Sequence, residues 1–226
     1  NAFVTVGDSV EVTNKLMAGK AESTYIAFEN AYNGNPGKVG DNWAKAQEVR
    51  EKTKKMLEYI DNIKYELHVA VDGLEGGVAE SKKLLAEKGF SAIVKKDNYD
   101  IPTNYFLAGT EDGSAGKAIE LRKKIEAYQA DMLTYAQSEA YKKMLKSMQI
   151  VTEGTWKDAQ DQDKNWQMYN FYHTIITADM VLLNKFKSEI QNAEMDLINH
   201  LYQQISADDF KFDQVTARVL PKSTYI

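Results

Sequence analysis

Proline is scarce in this 226-residue sequence, and that scarcity limits the possible folds more than any other feature. The three prolines, Pro36, Pro102 and Pro221, leave two long tracts without one. Proline breaks a helix because it lacks an N–H group and its ring clashes with the preceding turn. The two tracts can therefore form unusually long helices, provided that their apolar residues recur at helical spacing.

Apolar residues do recur at spacings of three, four and seven, and the pattern predicts four long helices. We expect them at about 2–33, 41–72 and 116–151, with the last running from beyond Asn170 to near Ser206. The first helix should bury Phe3, Val6, Val10, Met17, Thr24, Phe28 and Ala31. The second should bury Trp43, Ala46, Val49, Thr53, Met56, Ile60, Ile63, Leu67 and Val71. The third should bury Ile119, Ile125, Tyr128, Met132, Tyr135, Leu145 and Met148, and the last Ile176, Met180, Leu183, Phe186, Ile190, Leu197, Leu201 and Ile205.

The remaining segments carry turn residues rather than helical periodicity. A short helix is predicted at 78–88, closed by Gly89, and an exposed loop at 90–116. After Ser206 the pattern changes to an irregular alternation that is typical of extended structure. We therefore predict a helical domain at 1–206 and, at 207–226, an extended segment that leads into a β domain.

These elements predict an all-α fold. Helices of 30 to 35 residues span about 45–50 Å, so the bundle should be elongated. Single helices of that length gain little from intrinsic propensity, so their apolar stripes must pack together. The simplest arrangement is an antiparallel bundle of four long helices with short helices at its ends.

The sequence offers no apparatus for catalysis or cofactor binding. It has no cysteine, and no His follows a Glu at the Glu-x-x-His spacing that a di-iron helical bundle requires. The glycine-rich stretch 109–118 lacks both the first glycine and the Ser or Thr of a phosphate-binding loop. A net charge of -5 argues against a nucleic-acid surface. We expect a protein that is not an enzyme and has no cofactor, no metal and no small-molecule substrate.

No stretch of the sequence reaches the 18 to 20 apolar residues that a membrane helix needs. The sequence begins without methionine at Asn1 and stops within the predicted extended segment. We therefore expect a soluble piece of a longer protein.

Several patches of the sequence resemble the N-terminal periplasmic domain of the GldM/PorM family, which serves gliding motility and type IX secretion. Their order and spacing match along essentially the whole chain. The patches are Asn1–Val6, Glu22–Tyr25, Ala27–Glu29, Asp100–Thr103, Tyr169–Phe171, Asn192–Glu194, Ala207–Phe212 and Pro221–Ser223.

This resemblance implies a place in a motor. It implies an inner-membrane helix just before Asn1, a homodimer, and β-rich periplasmic domains after Pro221. It also implies a GldL/PorL-type membrane partner that uses the ion gradient. Later domains would contact outer-membrane-associated ring proteins of the GldK/GldN type. The present domain would then be the periplasmic stalk nearest the motor.

A stalk that transmits force needs stiff helices and few soft joints. The candidate mechanical junctions are Phe3, Gly7, Gly19, Phe210, Phe212 and Pro221. The two glycines have an alternative explanation, since a missing side chain also lets another segment approach closely. The rival function is a ligand-sensing four-helix bundle of the chemoreceptor type, whose last helix would continue into a second membrane span.

Overall fold

Three helices of more than 30 residues dominate the computed structural model, which describes the backbone of residues 2–216 and the side chains of residues 2–205. They are α1 (Ala2–Gly34), α2 (Pro36–Asp72) and α8 (Ile176–Thr216). The described chain is 77% helical, which confirms the all-α fold and the elongated helical packing.

The junction between α1 and α2 is a single residue, Asn35. Its side chain accepts a hydrogen bond from the N–H of Lys38, and Pro36 occupies the first turn of α2. Asparagine caps and first-turn prolines both favour helix starts, so the chain reverses here into an antiparallel helical hairpin. Helix α2 ends at Gly73 in the left-handed conformation that glycine adopts without strain.

Helix α8 runs parallel to α1. Asn14 of α1 lies beside Asn184 of α8, and further along both helices Phe28 contacts Tyr202. Helix α2 runs opposite to both, because its early residue Asn42 donates to the carbonyl of Leu201. We call the end where α1 begins the base and the end at Asn35 the tip.

The predicted third long helix is wrong as one continuous element. The chain forms α5 (Lys117–Thr134) and α6 (Glu139–Ser147), separated by a turn in which the Ser138 side chain caps the N–H of Tyr141. Helix α5 rises towards the tip along α2, and α6 returns along α8, where Tyr141 donates to Asp196. A hairpin of two shorter helices therefore replaces the predicted third long helix, and the bundle has three long helices in the described residues.

Short elements cover the base. They are α3 (Gly77–Lys88), a 3₁₀ turn (Gly89–Ala92), α4 (Asp100–Leu107), the two-stranded hairpin of β1 (Trp156–Lys157) and β2 (Asp163–Lys164), and α7 (Trp166–Phe171). The predicted short helix at 78–88 is confirmed. The predicted loop at 90–116 is wrong in part because it contains α4, where Pro102 occupies the first turn that tolerates it.

The predicted extended segment is also wrong for residues 207–216. Helix α8 continues through Phe210 and Phe212 to Thr216. No proline or glycine interrupts the chain between Ser206 and Pro221, so nothing local ends the helix. Residues 217–226, with Pro221, lie outside the described residues, and a domain boundary near 207 stays a prediction.

The core confirms the predicted stripes of α2 and α8. All nine predicted positions of α2 are buried, as are those of α8 except the half-buried Ile205. The stripe predicted for α1 is confirmed at Phe28, which is buried, and is wrong at Phe3 and Val6, which are exposed. Helix α1 also buries Gly7, Asn14, Ala21 and Tyr25, which were not predicted.

Candidate functional site

Buried polar side chains join the three long helices at several levels along the bundle. Asn14 of α1 is central to one level. Its Nδ2 donates to the carbonyl of Asn184 at 3.1 Å, and its own carbonyl accepts from Gln191 Nε2 at 3.2 Å. Ser188 donates to Asn14 Oδ1. Because a buried amide is costly without partners, these bonds hold α1 at one register along α8.

Nearer the base, two lysines and two carboxylates link all three helices. Lys64 of α2 is 4% exposed and Lys187 of α8 is 7% exposed. Lys64 Nζ lies 3.1 Å from Glu11 Oε2 of α1 and 2.7 Å from Asn184 Oδ1. Lys187 Nζ lies 2.7 Å from Asp61 Oδ1 of α2. Buried charges are tolerated when paired in this way, so the cluster fixes the axial position of each helix.

The charges of this cluster reinforce one another. Burial by itself raises the pKa of Glu11, but the neighbouring Lys64 and Lys187 outweigh it, and the net pKa lies below the ordinary value. Glu11 is therefore ionised at neutral pH.

Towards the tip, Glu194 of α8 accepts a hydrogen bond from the Tyr25 hydroxyl of α1 at 2.8 Å. The guanidinium of Arg50 lies over the Tyr25 ring, and Arg50 also pairs with Glu22. Burial raises the pKa of Glu194 to about 7, although the Tyr25 hydrogen bond and Arg50 both act to lower it. A carboxyl group between α1 and α8 is thus only partly ionised at neutral pH.

At the base, Ser81, His68 and Asp72 form a hydrogen-bonded row that resembles a hydrolytic triad. His68 Nδ1 lies 3.0 Å from Ser81 Oγ, and His68 Nε2 lies 3.1 Å from Asp72 Oδ2. The arrangement is structural, because His68 and Ser81 are fully buried and a substrate cannot reach the hydroxyl. Asp72 also accepts the N–H groups of Val94 and Lys95, so the row ties the 90–95 segment to α2 and α3.

The structure places the predicted junction residues Phe3, Gly7 and Gly19 at different positions along α1 and in different environments. Gly7 is buried, and a Cβ atom there would lie 2.1 Å from the Phe90 ring, which favours the close-approach explanation. Gly19 is exposed, with no atom of the chain within 4 Å of a Cβ position. Phe3 is exposed near the start of α1.

The polar contacts between helices were missed from the sequence. Asn184 and Gln191 stand seven residues apart within the apolar stripe of α8, as do Lys187 and Glu194. Polar residues that continue a buried stripe at heptad spacing are the signal that could have identified them.

Comparison with known families decides where the chain belongs. The sequence model described as the GldM N-terminal domain matches residues 1–204. The chain belongs to the GldM family. No curated protein matches the chain at a significant level.

GldM proteins are membrane-anchored components of the machinery for gliding motility and type IX secretion. The match covers every described element from α1 to most of α8, so the helices and polar levels above belong to the GldM domain itself. Across residues 2–216, no helix is both long enough and apolar enough to span a membrane. The same described part of the GldM chain holds no group of three His, Asp or Glu side chains suited to a metal ion.

Proposed function

We propose that this domain is the periplasmic stalk of a GldM motor protein and transmits ion-gradient-driven motion along its length. The observation that carries the proposal is the direction of α8. Helix α1 starts at the base and α8 runs parallel to it, so the start of α1 and the end of α8 lie at opposite ends of the bundle. Helix α8 alone has 41 residues, so the separation is about 60 Å at 1.5 Å per helical residue.

The interior supports the same proposal. The cluster of Lys64, Lys187, Glu11 and Asp61 and the bonds of Asn14 resist sliding of one long helix past another. Sliding would expose or unpair buried polar groups, and each such loss costs about 1–3 kcal/mol. A bundle locked in this way moves as one body.

The proposal includes the assembly that the family implies. The domain sits in the periplasm, anchored to the inner membrane by a helix upstream of α1, and acts as a homodimer. A GldL/PorL-type partner drives it, and later domains contact GldK/GldN-type ring proteins. It has no catalytic activity, no cofactor, no small-molecule substrate and no nucleic-acid partner in this proposal.

The chemoreceptor-type alternative fits the observed direction poorly. A sensor with two membrane spans returns its last long helix to the membrane from which the first emerged. Here α8 instead leads away from the base. This direction counts in favour of the stalk.

A proline in the middle of α8 tests the stalk. Asn192 is exposed on α8, so Asn192→Pro removes a backbone hydrogen bond and kinks the helix at a cost of about 3 kcal/mol without filling the core. Asn192→Ala is the matched control, because it removes the same side chain and keeps the helix. We expect Asn192→Pro to block secretion in cells while the motor complex still copurifies, and Asn192→Ala to secrete normally.

One further measurement makes the result decisive. Circular dichroism of the purified domain shows whether Asn192→Pro stays helical. Normal secretion by a folded, kinked variant would refute rigid transmission.

A further inference from the structure

The two ends of the bundle differ in the side chains that they expose. At the base, five large apolar or aromatic residues are exposed: Phe3, Val78, Val94, Tyr99 and Tyr172. Val94 is 78% exposed, more than any other large apolar side chain among the described residues. We call these five residues the base patch.

The tip carries no comparable patch. In residues 29–42 and 199–205 of the described chain, no large apolar side chain is exposed. The turn between α1 and α2 exposes Asn33, Asn35 and Pro36 instead. The tip is therefore suited to water, whereas the base leaves apolar side chains uncovered in the isolated chain.

The base patch is assembled from separate parts of the chain. Phe3 and Val78 lie in the first turns of α1 and α3, and Tyr99 and Tyr172 lie in the segments that precede α4 and α8. The N–H of Val94 donates to the carboxylate of the last residue of α2 at 2.8 Å. These residues have the end of the bundle in common and not one helix face or one groove. A partner that covers them together must be a broad surface lying across that end.

The two tyrosines of the patch are held in place by a histidine. The His173 ring lies 4.2 Å from the Tyr172 ring and 5.3 Å from the Tyr99 ring, measured between centroids. His173 has a left-handed backbone conformation, with φ of 53°, and its N–H donates to the Thr103 hydroxyl at 3.1 Å. The rings are therefore presented at the surface in a fixed arrangement.

The residue types of the patch are those of a membrane–water boundary. Tyrosine is enriched there because its ring is apolar while its hydroxyl stays hydrated. Valine and phenylalanine can enter the boundary between headgroups and acyl chains. The exposed charged residues nearby have both signs, so the base is not a basic surface that would be drawn to anionic lipid. They are Glu75, Lys95, Asp97 and Asp100.

We propose that the base of the bundle rests on the lipid bilayer that anchors the protein, with the base patch in the headgroup region. A bilayer is broad and flat, so it covers an end built from several segments at once. GldM proteins are membrane-anchored, which brings a bilayer within reach. The inference rests on the proposed function, because it takes the base as the membrane end of the stalk. Contact at this end would resist tilting of the bundle against the membrane.

Spin labels test the contact in the full-length protein, anchored in phosphatidylcholine nanodiscs without its membrane partner. A single labelled cysteine replaces Val94 or Tyr172 in a variant without other cysteines. Val151 is the matched control, because it is also a valine, is 70% exposed and follows Ile150, which is bonded to Gln129 of α5. Oxygen concentrates in lipid and a nickel chelate stays in water. We expect the labels at Val94 and Tyr172 to favour oxygen over nickel several-fold more than the label at Val151 does.

The label positions distinguish the alternatives. Labels at Val94 and Tyr172 that are as accessible to nickel as the label at Val151 would overturn the lipid contact. Protection that appears only after the membrane partner is added would assign the base to that protein and would also overturn it. Protection that requires anionic lipid would show that charge, and not the base patch, makes the contact.

A charge substitution gives an independent test. Val94→Asp places a carboxylate in the headgroup region, so it should raise the nickel accessibility of the Tyr172 label several-fold. Val151→Asp, the same change away from the base, should leave that label protected. Both valines are mostly exposed, so neither change disturbs the core. A Tyr172 label that stays protected in Val94→Asp would overturn the proposal.

Failure of this inference is separable from failure of the stalk. Water-accessible labels at the base, with secretion still blocked by Asn192→Pro, would overturn the lipid contact alone. Lipid-accessible labels at the base, with normal secretion by Asn192→Pro, would overturn the stalk alone. A lipid-accessible label at Asn33 with a water-accessible label at Val94 would reverse the domain and overturn both.

Discussion

Replacing Glu194 by glutamine should remove a pH-dependent part of the domain's stability. The carboxyl group has an ordinary pKa of 4.5 in the unfolded chain and a pKa of about 7 in the folded protein, mainly because it is buried between α1 and α8. The folded state therefore holds the proton more tightly than the unfolded state. The stability that this group contributes is complete below pH 4.5, decreases as the pH rises, and is lost above pH 7.

The size of the effect follows from the pKa difference. A change from 4.5 to about 7 corresponds to about 3 kcal/mol in the free energy of unfolding. Between pH 5 and pH 8, where titration is incomplete at the lower limit, about 2.5 kcal/mol should disappear. Glutamine is neutral at every pH and keeps an oxygen that can accept a hydrogen bond from Tyr25. The free energy of unfolding of Glu194→Gln should therefore not show this decrease between pH 5 and pH 8.

Urea unfolding at pH 5, 6, 7 and 8, followed by far-ultraviolet circular dichroism, measures the difference. Asp179 and Glu189 also have pKa values raised by burial, but both are present in the two proteins and cancel in the comparison. Tyr25→Phe is a second probe, because losing its hydrogen bond should raise the pKa of Glu194 further and move the decrease to higher pH. Parallel stability curves for wild type and Glu194→Gln across this range would refute the reasoning.

Two further substitutions test the packing of α1 and the charged cluster. Gly7→Ala should lower the free energy of unfolding by about 1–3 kcal/mol, because its Cβ atom would clash with the Phe90 ring. Gly19→Ala should raise that free energy by up to about 1 kcal/mol, because nothing lies beside its Cβ atom and alanine favours the helix. Urea unfolding of both variants measures the two changes. Equal effects at the two glycines would contradict the close approach at Gly7. Lys64→Met should cost about 3 kcal/mol by leaving Glu11 without its main partner, and adding Glu11→Gln should recover part of that loss; no recovery in the double mutant would show that the pair is not coupled.

The sequence predicted those helices whose buried faces are apolar. Val49, Ile60 and Leu67 of α2, like Leu183 and Leu197 of α8, repeat at helical spacing and are buried as expected. The family resemblance, which rests on patches spread along the chain, was confirmed over residues 1–204.

Helix α1 could not be oriented in the same way. Its buried face is small or polar at Gly7, Asn14 and Ala21 and becomes large only at Tyr25 and Phe28, while Val12 and Leu16 face outward. A hydrophobic period identifies an apolar stripe but does not say whether that stripe packs inside the chain or against another molecule.

The turn that reverses the chain between α5 and α6 could not be predicted from the sequence for a related reason. Apolar positions continue at helical spacing from Tyr128 through Tyr135 to Leu145, so the period passes through the break. The only local signal is Ser138, a helix-capping residue that also occurs inside helices. Tertiary contacts of Tyr141 with α8 decide the direction of α6.

The parallel course of α1 and α8 determines how the domain would bear a load. Tension applied at the base of α1 and at the far end of α8 acts along their common interface, so the interface is loaded in shear. The bonds of Asn14, the Tyr25–Glu194 pair and the Phe28–Tyr202 contact would then share the load at once. Antiparallel neighbours pulled from one end would instead peel apart one contact at a time.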